Sequence, residues 1–391
     1  MSAYRKLGGI LGSRVIGSAF QFGTLLLIAR RSSILEFGNY STVLAQGAIM
    51  GAVAVGGLPN MALRTSLVEQ PPLGRTMFAI TGVGAALTGL GVLVAGWLLL
   101  RPPGWWLPAA AVFIVAELMH TLVQNMLLAA LKHRAAELVT IVRRAVPFVA
   151  VVASLPAGNS VFLFFMIGNL VSLGAAFLFS PVPMAFAAEV RRVAAAARPY
   201  WIASVGAMFQ QLDLTIINLT LGASAAGSYG AAFRLSSPVH VVTLSLVGLM
   251  VPALVSDRSR GFSGSGGNYL RIGVSYALLL AFLSPAMYWV GPWVLGSQYG
   301  SHALLFPVLF INGAFSVVNQ MLSGVLVAAN EAVLVSRATV SSTLVGLLAV
   351  AGFALGGSLI GVGFSVVLIQ AILLLQLGFG IKYLRIRGER Q

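Results

Sequence analysis

The chain has 391 residues, of which 58% are hydrophobic and only 8% charged, with a mean hydropathy of +0.94. A soluble domain carries about 25% charge, so that class is excluded. The formal charge of +15 does not imply a nucleic-acid partner, because the basic residues lie in short clusters between long apolar stretches, as membrane topology dictates.

A membrane-spanning helix needs about 20 mostly apolar residues. Cutting the chain at its charged and Gly/Pro-rich points predicts twelve such segments: 8–29, 39–62, 76–100, 106–130, 136–156, 160–181, 200–221, 227–255, 269–293, 303–328, 333–355 and 359–381. With the N-terminus in the cytoplasm, 17 of the 24 basic residues fall on the inner side and 3 (Arg30, Arg31, Arg101) on the outer. That asymmetry predicts twelve crossings with both termini inside. The other four, Arg14, Arg143, Arg144 and Arg234, lie within predicted spans. All six tryptophans fall at predicted helix ends and read as interfacial belts. Having no cysteine, the chain has no disulfide, thiolate chemistry or Cys-based metal site.

In the first segment Arg14, Ser18 and Gln21 share one helix face. Arg14 either lines a cavity or snorkels to the cytoplasmic headgroups, but Gln21 lies too deep for snorkelling. The segment follows Arg5 and Lys6 as a signal peptide would, yet it lacks a clear cleavage site and is read as retained. In the third, Gly84, Thr88 and Gly91 form a small-residue seam for close helix approach.

The fourth segment carries Glu117, His120, Thr121 and Gln124 on one face, with Asn125 beside them. Two readings stand: a polar wall facing water, or a buried structural pair of Glu117 with His120 or with a basic residue of a neighbouring helix. In the fifth, Arg143 and Arg144 precede Pro147. Adjacent helical residues point about 100° apart, so one of the two at most is expected to face a cavity while the other reaches the headgroups; the alternative is that both snorkel.

The basic stretch 182–199 reads as a cytoplasmic linker with an interfacial helix, between an N-terminal six-helix bundle (1–181) and a C-terminal one (200–391). Gly38-Asn39-Tyr40 and Gly227-Ser228-Tyr229 lie 189 residues apart, close to half the chain, as two halves of common origin predict. The seventh segment holds Gln210, Gln211 and Asp213 near its middle, followed by a turn at Gly227–Tyr229 and a helix bearing Arg234. A carboxylate at bilayer depth costs on the order of 3 kcal/mol, so Asp213 is expected to face a protein interior or a wet cavity. The tenth segment presents Asn312, Ser316, Asn319, Gln320 and Ser323 at helical spacing; such a stripe suits interhelical hydrogen bonds and sugar hydroxyls alike.

No predicted outer loop is long enough for a separate catalytic domain. No P-loop, metal-spaced cluster or nucleophile elbow occurs, so neither a cofactor nor a metal is expected and the chain does not read as an enzyme. Energy for transport then comes from an ion gradient, the membrane potential or the substrate's own gradient.

Asp213 followed by Gly227-Ser228-Tyr229-Gly230-Ala231-Ala232-Phe233-Arg234 resembles the polysaccharide flippase branch of the superfamily that contains the multidrug and toxic-compound extruders. Glu36-Phe37-Gly38-Asn39-Tyr40, the Gly296, Tyr299 and Ala303 set, Ala328-Ala329-Asn330, and Gly357 with Gly361 and Gly363 fit the same pattern. The resemblance implies an all-α fold of two six-helix bundles rocking between inward-open and outward-open states. It implies transfer of undecaprenyl-diphosphate-linked oligosaccharide between leaflets, among membrane lipids and in concert with a polysaccharide polymerase. A diphosphate needs fixed cations, which Arg14, Arg234 and one of Arg143 and Arg144 can supply. Glu117, His120, Gln21, Gln124, Gln210, Asn312 and Asn319 then line the polar lumen. Asp213 is either a H+ or Na+ relay or an arginine's partner. Two alternatives stay open: a cation-coupled drug extruder of the same fold, and a membrane enzyme using Glu117 and His120 as acid and base.

Overall fold

In the computed structural model, residues 3–62, 71–100, 104–156, 160–182, 189–256, 265–329 and 331–388 are described. Among them every regular element is helical and no strand occurs. The helices are α1 (Ala3–Arg31), α2 (Ile34–Val55), α3 (Leu58–Ala62), α4 (Pro71–Leu99), α5 (Trp106–Ala129), α6 (His133–Ser154), α7 (Val161–Phe179), α8 (Val190–Met208) and α9 (Leu212–Leu221). There follow α10 (Ala223–Leu235), α11 (Ser237–Ser256), α12 (Ser265–Leu283), α13 (Met287–Leu295), α14 (Leu305–Ala328), α15 (Ala332–Leu355) and α16 (Leu359–Gly388).

Among the described residues, seven stretches are long and apolar enough to cross a membrane: Pro72–Leu99, Trp106–Ala129, Val161–Phe179, Asn268–Leu295, Leu305–Ala328, Val333–Leu355 and Leu359–Lys382. Their outward faces are largely apolar, with the exposed arginines Arg75, Arg271 and Arg337 near the helix starts; Leu178, Phe282, Leu348 and Leu355 stand at least three-quarters exposed. Hydrocarbon accommodates such faces at no cost, whereas water does not. The protein is an all-helical, multi-pass membrane protein.

The predicted segments and the helices do not correspond one for one. The second divides into α2 and α3 at Gly56 and Gly57, whose φ angles of +23° and +69° fall in the left-handed region. The seventh is interrupted by a 3-10 turn at Phe209–Gln211, so Asp213 sits in the first turn of α9 rather than in mid-helix. The expected turn at Gly227–Tyr229 is helical instead, and the break comes earlier, at Gly222 with φ +88°. From Val190 onward the expected linker is the beginning of α8, continuous with the seventh segment.

Two compact units divide the chain, Met1–Asn218 and Leu219–Gln391. In the first, α6 lies between α1 and α7, while α5 packs on α2, α4, α6 and α7. The N-terminus of α2 is closed by a capping box, in which Ser33 and Glu36 satisfy each other's backbone N–H groups. Tyr40 is buried against Phe162 (5.2 Å between ring centroids) and edge-on to Phe165 (6.1 Å). The Glu36–Tyr40 motif is therefore used for capping and core packing. Its Asn39, with Thr42, receives Asn218 Nδ2 at 3.4 and 2.7 Å, which ties α9 to α2.

Between helices in lipid the hydrophobic effect contributes little, so close packing and hydrogen bonds hold them together. At Gly57 a Cβ would come within 2.4 Å of the Tyr200 carbonyl carbon, and Trp201 Nε1 donates to Val53 O at 2.8 Å. The α2/α3 break is thus the seat of α8. Trp106 is only 1% exposed and is therefore not a belt residue, whereas Trp201, within α8, is 39% exposed. The other four, Trp97, Trp105, Trp289 and Trp293, are at least half exposed and fit the belt reading.

Gly168 of α7 faces Pro147 of α6, whose Cα would be 2.7 Å from an added Cβ, with Ala150 Cβ at 2.9 Å. The first obstacle is backbone and cannot swing aside. Gly168→Ala is therefore expected to destabilise the protein by about 1–3 kcal/mol, as overpacking does, read as a lower midpoint for thermal unfolding in detergent.

In the second unit α14 is the hub, touching α10, α11, α12, α13, α15 and α16. Its polar stripe makes interhelical bonds. Asn319 Nδ2 donates to Gln370 O and Oε1 on α16 (2.8 and 2.7 Å), and Gln320 Nε2 lies 3.3 Å from His240 Nδ1 on α11. Ser228 Oγ lies 3.0 Å from His302 Nδ1, fastening α10 to the 3-10 turn Ser297–His302.

Candidate functional site

The costliest groups inside the apolar helices are the charged ones, and the fold gathers three of them. Glu117 stands in the middle of α5 and Arg143 and Arg144 in the middle of α6. Arg143 Nη2 pairs with Glu117 Oε2, and Arg144 Nη1 donates to Glu117 Oε1. The side chains are largely buried, 14% and 16% exposed for the arginines and 21% for the glutamate. The expectation that one arginine at most faces inward is corrected. Their Cα–Cβ bonds diverge, but the long side chains curl to the same carboxylate, since backbone direction does not fix the position of a guanidinium several bonds away.

The cluster carries two positive charges against one negative, so one cation is left over. Its hydrogen-bonding capacity is also unbalanced. Two guanidiniums offer about ten N–H groups, whereas a carboxylate accepts about four, and Arg143 Nε is buried without a partner. Pro147, four residues after Arg143, has no N–H for the Arg143 carbonyl.

Two cavities adjoin the cluster, both within the first unit. On the arginine side a narrow one of about 10 Å3, room for about one water, is lined by Gln21, Thr24, Phe113, Arg143, Arg144 and Pro147 among others. On the glutamate side a cavity of about 490 Å3 is lined by the small residues of α2 (Gly47, Ala48, Gly51, Ala52), by Phe113, Glu117 and Thr121 of α5, and by Ser204 and Met208 of α8. Its lining is mostly apolar, with Glu117 as its charged member.

Several other residues expected at a site have partners of their own. His120 is 1% exposed and its Nδ1 lies 2.8 Å from Ala116 O, so that nitrogen carries the proton and donates within its own helix. Thr121 Oγ1 likewise donates to Glu117 O at 2.7 Å, and Asn125 Nδ2 to Pro59 O at 2.8 Å. Gln124 is part-buried two turns beyond Glu117. Asp213 Oδ1 accepts from Leu214 N at 2.6 Å in the first turn of α9, and Arg234 occupies the last turn of α10. Acid at a helix start and base at a helix end are the stabilising arrangement for the helix dipole. Asn312 and Asn319 are buried on α14 in the second unit. The side chains of Arg14 and Gln210 lie outside the described residues, as do Arg64, Arg101, Arg258, Arg260 and Asn330.

No family model matches the chain. Over 122 residues, 29% of the chain, it is 30% identical to the uncharacterized membrane protein EpsK of Bacillus subtilis (strain 168), and that match spans 23% of the relative's length. Solved structures match over nearly all of it. The lipid II flippase MurJ, in an inward closed conformation, aligns with a TM-score of 0.72 and 13% identity, covering 97% of this chain and 88% of MurJ. The chain has this fold. An inward-facing multidrug resistance MATE family transporter of the MOP superfamily aligns at 0.66 and 12% identity, over 98% and 96%. A MOP superfamily transporter from Pyrococcus furiosus aligns at 0.60 and 14%, over 97% and 96%. At such identities the fold is what is shared.

Proposed function

We propose that this protein is a transporter of the flippase class, moving undecaprenyl-diphosphate-linked oligosaccharide from the inner to the outer leaflet of a bacterial cytoplasmic membrane. The observation that carries the reading is the surplus of buried positive charge at Glu117, Arg143 and Arg144. A surplus cation inside an apolar bundle is expensive unless it meets an anion, and a paired guanidinium set matches phosphoryl oxygens in geometry and charge. The likeness to a lipid II flippase supports it. In this reading twelve helices in two six-helix halves alternate access, both termini are cytoplasmic, and Arg14 and Arg234 add cations along the route. Gln21 lies with the arginines, and Asn312, buried in this conformation with its Oδ1 unpartnered, would reach sugar hydroxyls only once the helices around α14 move. A polymerase receives the product, and a H+ or Na+ gradient is the candidate energy source.

The test is leaflet transfer of a fluorescent undecaprenyl-diphosphate oligosaccharide in proteoliposomes. The native protein is expected to move it and an empty vesicle not to. A second reading, a cation-coupled drug extruder, is favoured by one observation, the apolar cavity of about 490 Å3 with a carboxylate in its wall. If the vesicles expel organic cations under a proton or sodium gradient and leave the lipid unmoved, that reading replaces the first. An acid–base enzyme has no such support: the His120 Nδ1 proton is held by its own helix and Glu117 is clamped by two arginines.

A further inference from the structure

We infer that Glu117 is an exchangeable internal counter-ion: a phosphoryl group binds Arg143 and Arg144 by taking the place of the Glu117 carboxylate, which moves into the adjoining larger cavity. This rests on the flippase reading only for the source of the anion, not for the exchange.

Three observations lead here. First, the arginines hold more donors than one carboxylate can use, and Arg143 Nε is buried with no partner. A phosphoryl group brings three oxygens and more charge than a carboxylate, so it satisfies the pair better than Glu117 does. Second, the space beside the arginines is about 10 Å3, the room of about one water molecule. A phosphoryl group is larger, so it cannot simply be added; the carboxylate must leave. Third, Glu117 has a place to go. It already lines the cavity of about 490 Å3 on its other side, next to Thr121, whose hydroxyl is a polar neighbour there. Phe113 borders both cavities and separates them.

Exchange has a functional consequence. A site holding its own anion keeps both arginines partly paired when no substrate is present, and it lowers apparent affinity by the fraction of time that Glu117 occupies the arginines. That permits release at the end of a cycle, when the carboxylate returns.

The experiment uses the full-length protein in nanodiscs with two probes, inorganic pyrophosphate and a short prenyl diphosphate. Glu117→Gln keeps the size of the side chain and removes the competing charge. Its affinity for pyrophosphate is expected to rise about tenfold or more, and Arg144→Gln on that background should reverse the gain. In the native protein, carbodiimide modification of Glu117, read by mass spectrometry, should increase several-fold on adding pyrophosphate, because both carboxylate oxygens are covered until the anion displaces them. A folded Glu117→Gln that binds neither probe better than the native protein overturns the inference. So does labelling that neither probe increases, which decides the matter if the variant does not fold. Response to the prenyl diphosphate alone assigns the site to a lipid headgroup, and response to both assigns it to the phosphoryl group itself; the exchange stands in either case. Exchange without leaflet transfer would remove the flippase reading and leave this one.

Discussion

Glu117→Leu is expected to destabilise the protein by about 3–5 kcal/mol, and replacing Glu117, Arg143 and Arg144 together by apolar residues of similar volume is expected to restore most of that loss. Removing the carboxylate alone leaves two adjacent guanidiniums repelling each other in a largely buried position, 14% and 16% exposed, where solvent screens them poorly. Removing all three also removes the cost of taking charges out of water, which in buried clusters is comparable to the attraction gained. The effects are thus strongly non-additive, as groups sharing one network are. Chemical or thermal unfolding in detergent measures them. Single and triple variants that simply add would show that the three charges act independently, against the shared carboxylate described above.

The triple apolar variant then serves the second prediction. Folded but lacking both arginines, it is expected to move the lipid-linked oligosaccharide at least ~100-fold more slowly than the native protein. Two charge-assisted hydrogen bonds contribute about 1.5–3 kcal/mol each, and about 1.4 kcal/mol corresponds to tenfold in rate. Arg144→Lys should fall between, because an ammonium keeps the charge but not the fork that meets two phosphoryl oxygens at once. Stability and transport are separated in this design: a structural ion cluster with no part in transport predicts that the folded triple variant keeps the native rate. Transport at that rate would sink the anion-site proposal while leaving the stability argument intact.

Much of the fold can be read from the amino-acid order because hydrocarbon is a simple solvent. A segment of Leu, Val, Ile, Ala and Gly long enough to cross it must be helical to satisfy its own backbone. Each predicted segment from 106–130 to 160–181 and from 303–328 to 359–381 accordingly falls on a single described helix. The breaks were less legible. Gln210 and Gln211 read as polar residues within a span, yet the chain makes a 3-10 turn there and Asp213 becomes a first-turn residue. Nothing local distinguishes a polar residue that lines a cavity from one that marks the end of a helix; both avoid lipid for the same reason.

Composition and period determined the membrane class, the helical architecture and the short set of residues whose burial demands an explanation, because those follow from the cost of transferring each group into hydrocarbon. Which of those residues meet was decided by the tertiary structure. His120 and Glu117 are three residues apart on one helix and their sequence setting is alike, but one proton is held by Ala116 O and the other residue spans two helices to hold two arginines. Arg143 and Arg144 diverge at the backbone and converge at their heads, 26 and 27 residues along the chain from their common partner. Contacts between helices depend on which faces α5 and α6 turn to each other, and that depends on every other helix packed around them.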